Sequence, residues 1–241
     1  LQTGEVQATN GMNMIGYGPR ASGMGGADVA VAADSSGSAG NPASLGISVA
    51  KSASMGGAVL APNLSQSDKR NNRNGNDQFF PLPLLSYAQP VGNELPLIFG
   101  LNLYAQGGMG VEFDNVTTFN NSTDEYSSLV SYIRFTGALN YLVNDSLSVG
   151  IGLMAGYAKM DFSLFPNTYS VGMDNAAGTS DDFMGIDVSG LSDVGMAGRI
   201  GMQYQLNKRF RFGLQYSSEA AIDPKGGKMT LIFGAMQVKY D

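Results

Sequence analysis

The feature that most constrains this chain is a strict period of two that recurs along much of its length. Leu147, Val149, Ile151, Leu153, Ala155 and Tyr157 fall on one face, and Ser148, Gly150, Gly152, Met154, Gly156 and Ala158 on the other. Ile133, Phe135, Leu139, Tyr141 and Val143 oppose Arg134, Thr136 and Asn140 in the same way. Met196, Ile200, Met202 and Tyr204 oppose Ala197, Arg199, Gln203 and Gln205, while Phe210, Phe212, Leu214 and Tyr216 oppose Arg211, Gly213, Gln215 and Ser217. Such alternation specifies strands with one apolar and one polar face. Strands are predicted at 49–62, 80–91, 97–113, 129–143, 147–163, 188–206, 210–222 and 228–240.

Alternation alone does not say which face is buried, and composition decides that. Charged residues make up 14% of the chain, against about 25% in soluble domains. The polar faces carry Gly, Ser, Asn, Gln and lone Arg rather than the Lys and Glu that coat a water-soluble body. That suits a moist enclosed space, with the apolar faces turned to lipid and ending in aromatics such as Tyr141, Tyr157, Tyr204 and Phe210. No run approaches the ~18 apolar residues of a membrane helix. The connections at 92–96, 144–146 and 207–209 are short, whereas those at 63–79, 114–128 and 164–187 are long and polar. Short and long connections alternate in bacterial outer-membrane barrels. The expected fold is therefore all-β, a transmembrane antiparallel β-barrel.

The first 47 residues read differently, being rich in Gly, Ala and Ser without alternation. A helix is predicted from Ser22 to Ala33, with Met24, Ala27 and Val31 on one side. Asn41-Pro42-Ala43-Ser44-Leu45-Gly46 reads as one helical turn, capped by Asn41, begun by Pro42 and ended by Gly46. The division expected is a small helical segment at 1–47 and strands over 48–241.

Absences exclude whole classes of chemistry. Histidine and cysteine each number zero, so no Ser-His-Asp or Cys-His site, disulfide or thiolate metal centre can be built from this chain. A net charge of −6 argues against nucleic acid, which needs a basic surface. No enzyme activity and no cofactor are expected. Gly150 and Gly152 lie inside a strand and not in a dinucleotide loop. Asp174, Asp181 and Asp182 lack calcium-loop spacing and read as a solvated outer loop, and Asn120-Asn121-Ser122-Thr123 matches a glycosylation pattern that carries little weight in a bacterial loop.

The stretch Gly18-Pro19-Arg20-Ala21-Ser22-Gly23-Met24-Gly25-Gly26-Ala27-Asp28-Val29-Ala30-Val31-Ala32-Ala33-Asp34, followed by Asn41-Pro42-Ala43, resembles a signature of the FadL family of outer-membrane transporters. Leu85-Ser86-Tyr87-Ala88-Gln89-Pro90, the strand from Phe99 to Gly110, and Leu147 to Leu153 support the resemblance. It implies that the N-terminal segment is a hatch, with Asn41, Pro42 and Ala43 at its core, plugging a 14-stranded barrel in the bacterial outer membrane. About eight strands are counted here, so the barrel is expected to be incomplete. A closed eight-stranded barrel would fill with its own side chains and leave no room for such a segment. No charged-then-apolar leader precedes Leu1, so the signal peptide is expected to have been removed already.

The resemblance further implies uptake of long-chain fatty acids or hydrocarbons, with capture at the outer loops and lateral release at a kink in the third strand. Gly107, Gly108 and Gly110 stand at the matching place as the gate. Expected lumen ligands are Arg134, Arg199, Tyr104, Tyr132, Met154 and Gln203. Lys159 is a further ligand candidate, since the family has there a basic residue credited with capturing the carboxylate, although parity places it on the lipid side unless a bulge intervenes. The partners expected are the hydrophobic solute, membrane lipid and lipopolysaccharide. The alternative expectation is a FadL-like barrel serving as a structural subunit of a larger envelope complex with protein partners.

Overall fold

The computed structural model of the chain describes residues 13–31, 34–46, 51–92, 96–172, 177, 182–233 and 236–240. Strands dominate: β1 (Ser52–Leu60), β2 (Ser65–Ser67), β3 (Asn72–Asn74), β4 (Phe80–Pro90), β5 (Leu97–Thr117), β6 (Thr123–Asn144), β7 (Leu147–Ser170), β8 (Phe183–Gln205), β9 (Arg211–Ser217), β10 (Lys228–Phe233) and β11 (Met236–Tyr240). A nine-stranded sheet runs β1-β4-β5-β6-β7-β8-β10-β11, with β9 also paired to β8. Every pairing in it is antiparallel, and among the described residues its end strands β1 and β11 do not pair with each other.

The alternation predicts the faces well. Leu153 and Met196 are 77% and 76% exposed on the outer face, while Met154 and Ala197, one residue on, are buried on the inner face. The apolar band on β7 runs from Val149 to Tyr157, about nine residues. At ~3.4 Å per residue and a tilt of ~40° it is ~23 Å tall, the height of a barrel's lipid-facing band.

The strands outrun that band. The connections expected at 114–128 and 164–187 are partly strand, because β5 to β8 continue to pair beyond the point where apolar alternation stops. Ladder hydrogen bonds need no apolar side chains, so hydropathy underestimates these elements. The connection at 63–79 contains the β2–β3 hairpin. The short connections at 144–146 and 207–209 are set by asparagine. Asn144 Oδ1 accepts from the Ser146 and Leu147 amides, and Asn207 Oδ1 from those of Arg209 and Phe210.

Two further expectations are corrected. The strand predicted at 228–240 is two antiparallel strands, β10 and β11. β9 and β10 lie one after the other along β8, so residues 218–227 interrupt one course of chain and do not turn it back. Pro224, with Gly226 and Gly227 at positive φ, breaks the ladder there. The start predicted for the first strand at 49–50, and residues 93–95 of one short connection, lie outside the described residues.

In the N-terminal segment the helix predicted from Ser22 to Ala33 is a single turn instead, α1 (Pro19–Gly23). Pro19 starts it, Ser22 lies inside rather than capping it, and Gly25 and Gly26 end it at φ 65° and 80°. Two glycines in left-handed geometry outweigh a three-residue apolar stripe. Ala32 and Ala33 fall outside the described residues. The Asn41 turn forms as a 3-10 turn over Pro42–Leu45, with Asn41 Oδ1 accepting from the Ala43 amide at 2.9 Å. A second 3-10 turn, Ser35–Ala39, is capped by Asp34.

Candidate functional site

The N-terminal segment lies against the inner face and is held there by the polar residues that alternation places inward. Asn102 donates to Ser38 Oγ (2.5 Å), Asn140 to the Pro42 carbonyl (3.3 Å) and Ser148 to the Ala43 carbonyl (2.6 Å). Gln203 and Asn41 both donate to the Val29 carbonyl at 2.8 Å. Arg199, buried, donates to the carbonyls of Ala39 and Gly40 and to Ser217 Oγ. Ser35, Ser38 and residues 39–46 are buried. Gly150 makes the approach possible, since a Cβ there would stand 2.6 Å from the Pro42 carbonyl oxygen.

Above this pinned part, four of the predicted residues converge. Arg134 donates to the hydroxyls of Tyr104 and Tyr132 (both 3.2 Å), to Tyr17 at 3.5 Å, and lies 3.9 Å from the Met154 sulfur. Its guanidinium also sits over the Tyr132 ring, 5.3 Å from the centroid. Tyr17 comes from the N-terminal segment and packs against Tyr104, the ring centroids 4.7 Å apart and the planes inclined at 57°. Alternation could not find it, because it lies in no strand. Among the described residues no carboxylate forms an ion pair with Arg134. Arg199 and Gln203 point inward as predicted, but Arg199 Nη1 and Gln203 Nε2 are engaged by carbonyls of the N-terminal segment. Lys159 is exposed on the outer face, paired with Asp161 at 2.8 Å. Among the described residues no three acidic side chains gather to hold a metal ion.

Beside Arg134 the sheet has a seam. β4 pairs with β1 along Phe80–Ala88 but with β5 only from Pro90 to Leu84, the last pair being Leu84↔Tyr104. On that side β5 runs on without a strand of the sheet until the Asn76 amide meets the Glu112 carbonyl at 2.8 Å, and its register against β6 slips between Ala105 and Gly107, leaving Gln106 as a bulge. Gly107, Gly108 and Gly110 stay paired with β6, so the break is on the β4 side of the strand. Residues 13 and 14 fill it: the Met14 amide donates to the Gln106 carbonyl and Gln106 Nε2 to Asn13 Oδ1, both at 2.9 Å. A pocket of ~160 Å³ lies at this seam, lined mainly by apolar groups of Met14, Pro19, Leu82, Leu84, Tyr104 and Ala105.

Beyond the band an aromatic chain starts at Phe113, the last residue of a predicted strand, and runs through four rings in segments predicted to be polar loops. Phe113 packs on Tyr126 (4.9 Å), Tyr126 on Phe165 (6.1 Å), Phe165 on Phe183 (6.0 Å) and Phe183 on Phe119 (4.7 Å). Asp182 is engaged by the Tyr169 hydroxyl and the Gly172 amide; Asp174 and Asp181 lie outside the described residues.

The sheet thus turns apolar residues outward, holds the N-terminal segment against its inner face and has a seam at β5. Residues 7–237 match the profile of the outer membrane protein transport protein family (OMPP1/FadL/TodX). The chain belongs to that family. Among solved structures, the FadL/TodX-family fold is shared with the Pseudomonas putida toluene transporter TodX at TM-score 0.74 and 18% identity, over 94% of this chain and 62% of that one. A TodX deltaS2S3 mutant, described as a monoaromatic hydrocarbon channel, aligns at 0.75 and 20% identity over 93% and 61%. The CymD monoaromatic hydrocarbon channel aligns at 0.66 and 20% over 95% and 60%. The chain thus spans about three fifths of the length of these structures. No curated protein matches it.

Proposed function

We propose that this FadL/TodX-family chain forms part of an outer-membrane channel that takes up hydrophobic small molecules and releases them sideways. The observation that carries the reading is the apolar pocket at the β4–β5 seam, flanked by a lumen arginine whose described partners are tyrosines and a methionine. An apolar tail fits the pocket, and Arg134 offers a carboxylate two parallel donors in exchange for neutral hydroxyls. The exposed Phe119 and the aromatic chain behind it supply an apolar landing place at the outer end. The pinned segment around Asn41, Pro42 and Ala43 acts as the hatch over the lower inner face, which favours a side exit near Gly107, Gly108 and Gly110. Nothing in this pathway requires catalysis.

The test separates acids from neutral hydrocarbons. Uptake of oleate and of toluene is measured in a strain lacking the gene and complemented with wild type or Arg134→Gln. Loss of a charge-assisted contact is worth ~1.5–3 kcal/mol, or roughly 10-fold or more in oleate uptake, with toluene uptake unchanged. Equal rates for both variants on oleate remove Arg134 from the pathway; no rescue of either solute by wild type removes the transport reading.

A further inference from the structure

We propose that Pro81 and Pro83 hold the β4–β5 seam open, so that the exit is built into β4 as well as into the β5 bulge. The inference rests on the lateral-release reading above. In an antiparallel strand, successive residues turn their N–H groups to opposite neighbours. The Val91 amide donates to the Leu97 carbonyl at 2.8 Å, so the odd-numbered residues of β4 face β5. The register from Pro90↔Ile98 to Leu84↔Tyr104 carries on to Pro83 opposite Ala105 and Pro81 opposite Gly107. These are the next two places where β4 should donate to β5, and both lack an N–H and carry a ring in its stead.

The other edge of β4 is untouched. The ladder with β1 runs past both prolines, through Gly57↔Pro83 and Val59↔Pro81, to Leu60↔Phe80. The Leu82 carbonyl points that way, 2.7 Å from where a Cβ on Gly57 would stand. The strand therefore continues, and one edge of it is disabled. Both proline rings are exposed on the outer face, so packing against the inner face gives no reason for them. The opened edge of β5 is met by Asn13 and Met14, a partner that can leave without breaking a barrel strand.

The variant Pro81→Val/Pro83→Val returns both donors and keeps an apolar outer face. Two restored backbone bonds favour a closed seam by ~10-fold or more. The β5 stretch 103–108 then exchanges its amide hydrogens more slowly, the Met14 amide exchanges faster, and toluene and oleate uptake both fall ~10-fold. A heat-shifted band on gels confirms that the barrel has folded. Unchanged exchange and unchanged uptake overturn the role given to the prolines. A second variant, Pro83→Cys/Ala105→Cys, bridged by a short bis-maleimide in this cysteine-free chain, tests the portal itself. Uptake that survives the bridge overturns lateral release. Uptake stopped by the bridge but indifferent to the valines overturns the proline inference alone.

Discussion

Arg199 and Arg134 show how two similar residues on one inner face are put to different uses. Arg199 is buried with its guanidinium on the Ala39 and Gly40 carbonyls, so it fastens the N-terminal segment. Arg199→Ala leaves those carbonyls without their donor and should cost ~1–3 kcal/mol, seen as a lower urea midpoint for the refolded protein. An unchanged midpoint would remove Arg199 from the fastening. Parity along the strands made both arginines, Tyr104, Tyr132, Met154 and Gln203 legible as inward residues and placed Lys159 outward. It could not divide them into those that touch the N-terminal segment and those that do not. That division depends on where residues 13–46 settle, a tertiary matter that no period encodes. Tyr17 was invisible for the same reason. Pro81 and Pro83 were visible as prolines, but which edge they disable follows only from the pairing.

At the scale of elements, the outer hairpin β2–β3 shows structure built without any apolar pattern. Asn71 exchanges hydrogen bonds with the Thr117 amide and carbonyl through its side chain, at 2.7 and 3.0 Å, as a strand partner would. Tyr126 donates to Gln66 Oε1 at 2.8 Å. The tip is held by Asp68, whose Oδ1 accepts from the Arg70 and Asn71 amides at 2.7 Å. Those amides hold the Asp68 carboxyl below its ordinary value. A lowered folded value means that the contribution is complete above about pH 4, the unfolded value. It is lost as pH falls through the lower folded value. Amide exchange at Arg70 and Asn71 should therefore quicken only under more acid conditions than a free aspartate would require. Quickening at or above pH 4 would contradict the cap. The hairpin escaped the sequence reading because Asn, Asp and Ser mark turns and loops, and here the same residues also build the ladder.

For the whole molecule the governing claim is that lipid meets the outer face. Leu153 lies at the middle of the band between Val149 and Tyr157 and is 77% exposed. Leu153→Lys should destabilise the folded state by ~2–4 kcal/mol when the protein folds into lipid vesicles, the cost of a cation at the bilayer midplane. A shift near zero would mean that this face meets water. The fold class was legible because the signal is repeated on every long strand. The overhang of those strands was not, since beyond the band nothing apolar marks the inside from the outside.

The level of the seam has its own consequence. Ala105, where β4 lets go of β5, lies in register with Ile133, and Ile133 with Tyr157, the upper rim of the band. Cargo leaving there would pass from the pocket into the hydrocarbon of the bilayer without meeting water at the exit. Transfer of each methylene from water to hydrocarbon yields ~0.8 kcal/mol, so the descent into lipid would itself drive the traffic and fix its direction. Initial uptake should then be insensitive to an uncoupler that collapses the proton gradient, and an immediate fall on its addition would show that an energised partner does the pulling.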